Sequence, residues 1–371
     1  MRREWVSLVA DTESRTTTMV RCQGLLWSSE QFTPTTAILA THYSVDFTEH
    51  YMAAPMANLG YAFFGWNTRF RGADEFFSIP EALSDIRAGV EFLRTRFKRV
   101  VLLGNSGGGS LLGAYQSLAE SQSSQPLTET KRALVATNPR PLEPADAFIA
   151  LNAHPSRAKT LTKWLDPSVV DESDFLSSDP ELDLWGPRAG TVPLDPDFLL
   201  RYRSAQVERN RRITAWVRAQ TAQLEAVGAS NRVFSVHRVW ADPRFVDLTV
   251  DQSDRSVGCL IGTDVRTCNY GAYGLARLTT LRGWMNMWAL ETDMLDTGTH
   301  LVHISVPSLV VQGTADVAVF PSEAQELFDS LRVADKQLHW IKGADHYFKD
   351  HPELIGECAA KVAAWLRERG L

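Results

Sequence analysis

The chain has 371 residues, which suits one large α/β domain that carries an insertion. Its composition, 44% hydrophobic and 22% charged residues, is that of a globular protein. The net charge of −6 argues against nucleic-acid binding, and no apolar stretch approaches the roughly 18 residues of a membrane-spanning helix, so we expect neither nucleic acid nor a membrane as a partner.

The first half of the chain alternates short apolar blocks with helical patterns. Strands are predicted at residues 5–10, 17–27, 36–41, 61–66, 100–103 and 147–152. Helical spacing of apolar residues is found at 49–59, 80–96 and 111–120, and a polar surface connection is predicted at 121–132. Because strands that alternate with helices favour parallel pairing, we predict an α/β fold with a doubly wound, mostly parallel sheet.

A glycine-dense corner separates the strand at 100–103 from the helix at 111–120. Its sequence, Gly104-Asn105-Ser106-Gly107-Gly108, fits the G-x-S-x-G nucleophile elbow. In that motif the serine occupies a sharp strand-to-helix turn, and the glycines let strand and helix approach. An ordinary βα turn also fits a bare match, whereas a phosphate loop does not, because no Lys-Ser or Lys-Thr follows the last glycine.

From His154 to His303 the alternation is lost. This region has turns rich in Pro, Asp and Ser, a long predicted helix at 196–226 and a second helix-like stretch at 275–295. We interpret residues 154–303 as one mainly helical cap inserted into a core made of residues 1–153 and 304–371. Trp284 and Trp288, four residues apart on one side of the second helix-like stretch, are predicted to line the inner face of that lid and bind substrate.

The α/β pattern resumes with predicted strands at 306–312 and 337–341 and helices at 322–332 and 352–369. Asp316 follows the first of these strands and His346 follows the second. Because the carboxyl ends of parallel strands meet at one edge of a sheet, both loops are expected to converge on Ser106. His346 would be the general base and Asp316 the acid that orients it, with Asp345 as the weaker alternative.

In these three motifs, in the order Ser…Asp…His, the chain resembles the α/β-hydrolase fold superfamily. The usual oxyanion motif of that family is His-Gly-x, and His42-Tyr43-Ser44 stands in its place. The resemblance implies an oxyanion hole made by the N–H groups of Gly107 and Tyr43, with Ser44 as the alternate donor. The Tyr43 hydroxyl is a further option.

Other candidates are weaker. His300-x-x-His303 has no third ligand at zinc spacing, so we expect no metal. Arg69 and Arg71 are interpreted as a solvated or structural loop, with orientation of a substrate carboxylate as the alternative.

The expected activity is that of a serine hydrolase acting on a carboxylic ester, lactone or thioester through an acyl-enzyme, without a cofactor. Cleavage of a carbon–carbon bond and acyl transfer are alternatives that use the same residues, and a ligand receptor on the same fold is a third. The expected partner is a small-molecule apolar or aromatic ester-like substrate, and the tryptophan-rich insertion favours a bulky one.

The expected location is the cytoplasm. The start of the chain has a basic pair, Arg2-Arg3, but too short an apolar run for a signal peptide. The cysteines lack C-x-x-C spacing and are interpreted as free thiols in a reducing compartment: Cys22, Cys259, Cys268 and Cys358.

Overall fold

A computed structural model describes residues 1–9, 21–124, 134–135, 140–187, 191–349 and 351–371. The beginning of the strand predicted at 17–27 and most of the connection predicted at 121–132 lie outside the described residues.

The strands of the described residues are, in chain order, β1 (Arg2–Val9), β2 (Arg21–Ser28), β3 (Thr36–Thr41), β4 (Ala62–Asn67), β5 (Arg99–Ser106), β6 (Ala147–Ala153), β7 (Val233–His237), β8 (Ala276–Thr280), β9 (Ser308–Gly313) and β10 (Lys336–Ile341). The helices are α1 (Ala53–Asn58), α2 (Ile79–Arg94), α3 (Gly108–Ser124), α4 (Arg157–Trp164), α5 (Pro196–Glu225), α6 (Val265–Tyr270), α7 (Leu281–Met287), α8 (Thr297–His300), α9 (Pro321–Ser330) and α10 (Pro352–Arg367).

One eight-stranded sheet organises the chain, with the strand order β1-β2-β4-β3-β5-β6-β9-β10. The pairs β1–β2 and β2–β4 are antiparallel, and every later neighbour pair is parallel. Every residue of β3, β4, β6 and β9 is buried, as a sheet covered by helices on both faces requires. The predicted doubly wound, mostly parallel sheet is therefore confirmed.

Alternate residues of the central strands form the core against helices α1 and α10. The inward side chains from the sheet are Ile38, Ala40, Val101, Leu103, Ile149, Leu151, Leu309 and Val311. They share one cluster with Met56 of α1 and with Val362 and Trp365 of α10. Because side chains alternate across a strand, this face fixes the register of the four central strands, and hence the level at which each strand ends.

The chain divides into two compact units. The first comprises residues 1–74, 78–155 and 294–371, and the second comprises 75–77 and 156–293. The second unit holds helices α4 to α7 and the antiparallel pair β7–β8. The predicted insertion extends further, to His303, but α8 and the residues after it belong to the first unit, where Leu301 packs on Gly113 of α3 and the Ser305 N–H donates to Glu120 at 2.8 Å.

Within the second unit the secondary structure departs from the predictions at strands β7 and β8 and at helices α4 and α6. The helix-like stretch predicted at 275–295 begins as strand β8 and continues as helix α7 and a short 3-10 helix at Leu290–Thr292. Residues 276–280 pair with β7, which lies some forty positions earlier in the chain, so local spacing carries no sign of it. Helix α4 was not predicted, although Ser156 caps it by accepting a hydrogen bond from the Lys159 N–H at 3.0 Å.

Among the described residues, the helices are all too short or too polar to cross a lipid bilayer.

Candidate active site

The corner after β5 has the backbone of a nucleophile elbow. Ser106, the last residue of the strand, has a φ of 56°, in the left-handed region that a residue with a side chain seldom occupies. A Cβ on Gly104 would lie 2.5 Å from the Gly108 carbonyl oxygen, and one on Gly108 would lie 2.1 Å from that of Thr41. These two positions therefore require glycine, as the motif predicts, because strand and helix are in backbone contact there.

The structure brings Ser106, His346 and Asp316 into one hydrogen-bonded chain. His346 Nε2 lies 2.9 Å from Ser106 Oγ, and His346 Nδ1 lies 2.8 Å from Asp316 Oδ2. All three side chains are buried. Because a carboxylate can only accept, Nδ1 carries the proton, and Nε2 is left to accept the proton of the serine hydroxyl. The imidazole is thus held in the tautomer that a general base needs.

Asp316 is oriented by its own loop. Its Oδ1 accepts hydrogen bonds from the N–H groups of Ala318 at 2.7 Å and Val319 at 2.9 Å, so that Oδ2 is directed at His346. The alternative acid, Asp345, faces its own turn and accepts from the N–H groups of Tyr347 and Lys349. Of the two candidate acids, the structure joins Asp316 to the histidine.

Asn152, which the sequence analysis did not single out, links the acid loop to the histidine loop. It lies at the end of β6 with a φ of 43° and is fully buried. Its Oδ1 accepts from the Gly313 N–H at 2.7 Å, and its Nδ2 donates to the His346 carbonyl at 3.0 Å. An amide residue at the end of an apolar strand, at the same sheet edge as the other motif loops, is the sequence signal that could have identified it.

Asn105, the residue before the nucleophile, is held by a second pair of contacts. Its Nδ2 donates to the Leu151 carbonyl at 2.8 Å, and its Oδ1 lies 3.1 Å from His50 Nε2. Since His50 Nδ1 accepts the Met52 N–H, Nε2 is the donor to Asn105. Burial of the ring lowers the pKa of His50 to about 4, so it is neutral at physiological pH. The role of His50 depends on contacts that the sequence does not reveal.

The segment predicted to complete the oxyanion hole lies against Gly107. A Cβ on Gly107 would lie 2.9 Å from His42 Nε2 and 3.1 Å from Tyr43 Cδ2. The Tyr43 hydroxyl is 3.1 Å from Ser110 Oγ, which itself donates to the Gly107 carbonyl at 3.2 Å. The hydroxyl therefore braces the first turn of α3. The N–H of Ser44, the alternate donor, makes a long 3.4 Å contact with His42 Nδ1.

The remaining sequence candidates have structural partners. Arg69 makes a buried ion pair with Asp85, at 2.6 Å, which places it in the loop framework. His300 Nε2 is 2.7 Å from the Met294 carbonyl. Trp284 and Trp288 are buried in the second unit, with their rings stacked at 5.5 Å. Their assignment to substrate binding stays a prediction.

Comparison with known proteins is informative at the level of three-dimensional structure. The sequence matches no family profile and no curated protein. Among solved structures, the α/β hydrolase GrgF from Penicillium sp. sh18 aligns over 100% of both chains with a TM-score of 0.55 and 11% identity. DcsB, solved in complex with its substrate analogue, has a TM-score of 0.54 at 10% identity and covers 98% of this chain and 99% of its own.

A candidate hydrolase from Agrobacterium vitis S4 has a TM-score of 0.51 at 15% identity, over 98% of this chain and 99% of that one. At such identities the likeness concerns the fold. Together with the strand order and the serine elbow, it establishes that this chain has the α/β-hydrolase fold.

Proposed function

We propose that the protein is a serine hydrolase that cleaves a carboxylic ester through an acyl-enzyme. The observation that carries the proposal is the continuous chain Ser106–His346–Asp316, with 2.9 Å and 2.8 Å between the bonded atoms. Each group has the position and orientation that nucleophilic catalysis needs. The strained backbone of Ser106 adds support, because such strain persists where a function requires it.

The proposed reaction proceeds in two halves. Ser106 Oγ attacks the ester carbonyl carbon while its proton passes to His346 Nε2, and Asp316 stabilises the resulting imidazolium. The N–H groups of Gly107 and Tyr43 are the proposed donors to the oxyanion. His346 then returns the proton to the departing alcohol, which leaves an acyl group on Ser106. Water, deprotonated by His346, releases the carboxylic acid and restores the serine.

The reaction is tested by trapping the nucleophile. A fluorophosphonate should form one adduct per chain, on Ser106, as found by mass spectrometry of the intact protein and its peptides. The Ser106→Ala variant is the control and should remain unlabelled. Labelling of that variant at the rate of the wild type would place the nucleophile elsewhere.

Turnover is tested separately. With short-chain and aryl nitrophenyl esters we expect a burst of nitrophenol equal to the enzyme concentration, followed by steady release. A phosphonate adduct on Ser106 with no turnover of ester, lactone or thioester would overturn the hydrolase proposal while leaving the nucleophile in place. In that case assays with a diketone and with an alcohol acceptor would test carbon–carbon cleavage and acyl transfer.

A further inference from the structure

The second unit contains a cavity of its own, with a volume of about 520 Å³. This size is within the range of small-molecule sites, roughly 300–1,000 Å³. Its lining comes from the loop after α4, from helix α5 and from strand β7, and includes Ser173, Arg212, Trp216, Arg232, Phe234 and Ser235. None of these residues belongs to the proposed catalytic chain.

One wall of the cavity is aromatic and accessible. The side chain of Trp216 is 39% exposed, a large fraction for tryptophan in a packed unit. Phe234 meets it edge to face, with ring centroids 5.0 Å apart, and so fixes the plane of the indole. The exposed part of the indole thus provides a rigid apolar surface on which a flat ring can stack.

Two arginine side chains line the same cavity, and a hydrogen bond from one guanidinium nitrogen holds each of them in place. Arg232 donates through Nη1 to Gln220 Oε1 at 2.7 Å, and its guanidinium carbon lies 5.5 Å from the Trp216 ring centroid. Arg212 donates through Nη2 to the Val169 carbonyl at 2.9 Å. Within the described residues, the other guanidinium nitrogens of Arg232 have no hydrogen-bond or ion-pair partner. An anion would therefore meet donors whose rotamers are already restricted, which reduces the entropy cost of binding.

The acidic residues of the lining are engaged by other groups. Glu172 uses both carboxylate oxygens on Arg209, at 2.8 and 2.7 Å, and lies 3.8 Å from Arg212. Asp171 accepts hydrogen bonds from the N–H and hydroxyl of Ser173, at 2.8 and 2.7 Å. Because both carboxylates bond to other groups and not to Arg232, the remaining N–H groups of Arg232 are available to a ligand.

We propose that this cavity is a binding site for a small aromatic carboxylate. The ring would stack on Trp216, and the carboxylate would accept hydrogen bonds from Arg232, with Arg212 adding positive charge. The site is distinct in its residues from the Ser106 site, so the proposal does not depend on the proposed function.

The test uses the full chain with cinnamate as the probe and its uncharged amide, cinnamamide, as the matched ligand. Binding is measured by calorimetry and by quenching of tryptophan fluorescence. We expect cinnamamide to bind at least about tenfold more weakly than cinnamate. Arg232→Gln should weaken cinnamate binding by a similar factor. Trp216→Leu should weaken both ligands and remove most of the quenching.

Arg211→Gln is the control variant, because Arg211 lies on the same helix and is exposed but does not line the cavity. It should bind cinnamate as the wild type does. Arg212→Gln is the second test variant if Arg232→Gln alters the circular dichroism spectrum. The proposal is overturned if the wild type fails to bind cinnamate, or if binding is the same in the Arg232, Arg212 and Trp216 variants, as it would be for a ligand held at Ser106.

Discussion

Ser106 ends strand β5, and Asp316 and His346 lie in the loops after β9 and β10. In the proposed mechanism, each of the three residues acts through the next. Replacing any of them, as Ser106→Ala, His346→Ala or Asp316→Asn, should lower kcat by about 10³-fold or more. Because the residues act as a unit, the double variants should lose little more than the single ones. Steady-state kinetics on a nitrophenyl ester measure this, and losses that multiply would show that the three residues do not act as a unit.

Asp345 offers a control beside His346, the proposed general base. Its carboxylate bonds to the backbone of its own turn, at 2.8 Å to the Lys349 N–H, and is not the partner of His346. Asp345→Asn should therefore change kcat by less than about threefold, which is within the scatter of ordinary surface substitutions. A loss as large as that of Asp316→Asn would reassign the acid.

Asn152 is predicted to act as a positioning residue. Asn152→Gly keeps the left-handed backbone available, since glycine adopts positive φ freely, but removes the bonds to Gly313 and His346. We expect kcat to fall about tenfold with KM nearly unchanged, because the loops lose their alignment while binding surfaces remain. If Asn152 is only structural, the melting temperature falls and the kcat of the folded protein does not.

His50 should make stability depend on pH. Its pKa in the folded protein, about 4, lies below the ordinary histidine value of 6.5, because the ring is buried. Between pH 6.5 and 4, His50 is therefore protonated in the unfolded chain but neutral in the folded one. The free energy of unfolding decreases as pH falls through this range. The loss is on the order of 3 kcal/mol at the lower end.

Urea unfolding of the wild type and of His50→Gln across that pH range measures the effect. The wild type should lose about 3 kcal/mol relative to His50→Gln as pH falls from 6.5 to 4, and the difference between the two free energies of unfolding should be constant above pH 6.5. A constant difference would contradict the buried, neutral histidine. The comparison cancels the contributions of the acidic residues, which are the same in both proteins.

At the scale of elements, the turn from β5 to α3 has almost no spare volume. Gly108→Ala would place a Cβ 2.1 Å from the Thr41 carbonyl oxygen, and it should destabilise the protein by about 3 kcal/mol or more. Gly356→Ala in α10 is the matched control, since a Cβ there meets nothing within 4 Å. It should stabilise by up to about 1 kcal/mol. Thermal melting compares them, and equal effects would contradict the contact.

The elements of the first unit could be predicted because their patterns are local. The central strands are unbroken apolar runs, and 36–41 is observed as β3 with the predicted bounds. The predicted start of helix α3 is three residues too late, since the helix begins at Gly108. The prediction missed this turn because its glycines have poor intrinsic helix propensity. Strand β8 and the hydrogen bonds of Asn152 and His50 depend on residues distant in the chain. The periodicity of apolar residues in the sequence does not reveal such partners.

At the scale of the whole molecule, the second unit has its own aromatic interior. Trp284 donates through Nε1 to Thr214 Oγ1 at 2.9 Å and stacks on Trp288. Trp284→Ala should therefore cost roughly 3–5 kcal/mol, whereas Trp216→Ala, at a more exposed ring, should cost much less. Calorimetric melting measures both. Equal losses would contradict the packing.

Trp284→Ala, together with Trp288→Ala, tests the predicted role of these two residues in substrate binding. If Trp284 and Trp288 only pack, the ranking of kcat/KM across small and bulky esters stays the same in the variants that remain folded. A changed ranking would support contact with substrate.

The first and last residues of the segment 156–293 are in contact, so that recombination could exchange this segment as a whole. Ser156 at its start donates to the carboxylate of Asp293 at its end, while in the first unit the Thr297 N–H bonds to the Pro155 carbonyl at 2.9 Å. A foreign segment with adjacent ends could replace residues 156–293 without shifting the sheet register. Residues 75–77 limit the exchange, because Thr280 Oγ1 bonds to the Glu75 carbonyl at 2.7 Å. A viable graft would have to bring its own version of that short loop.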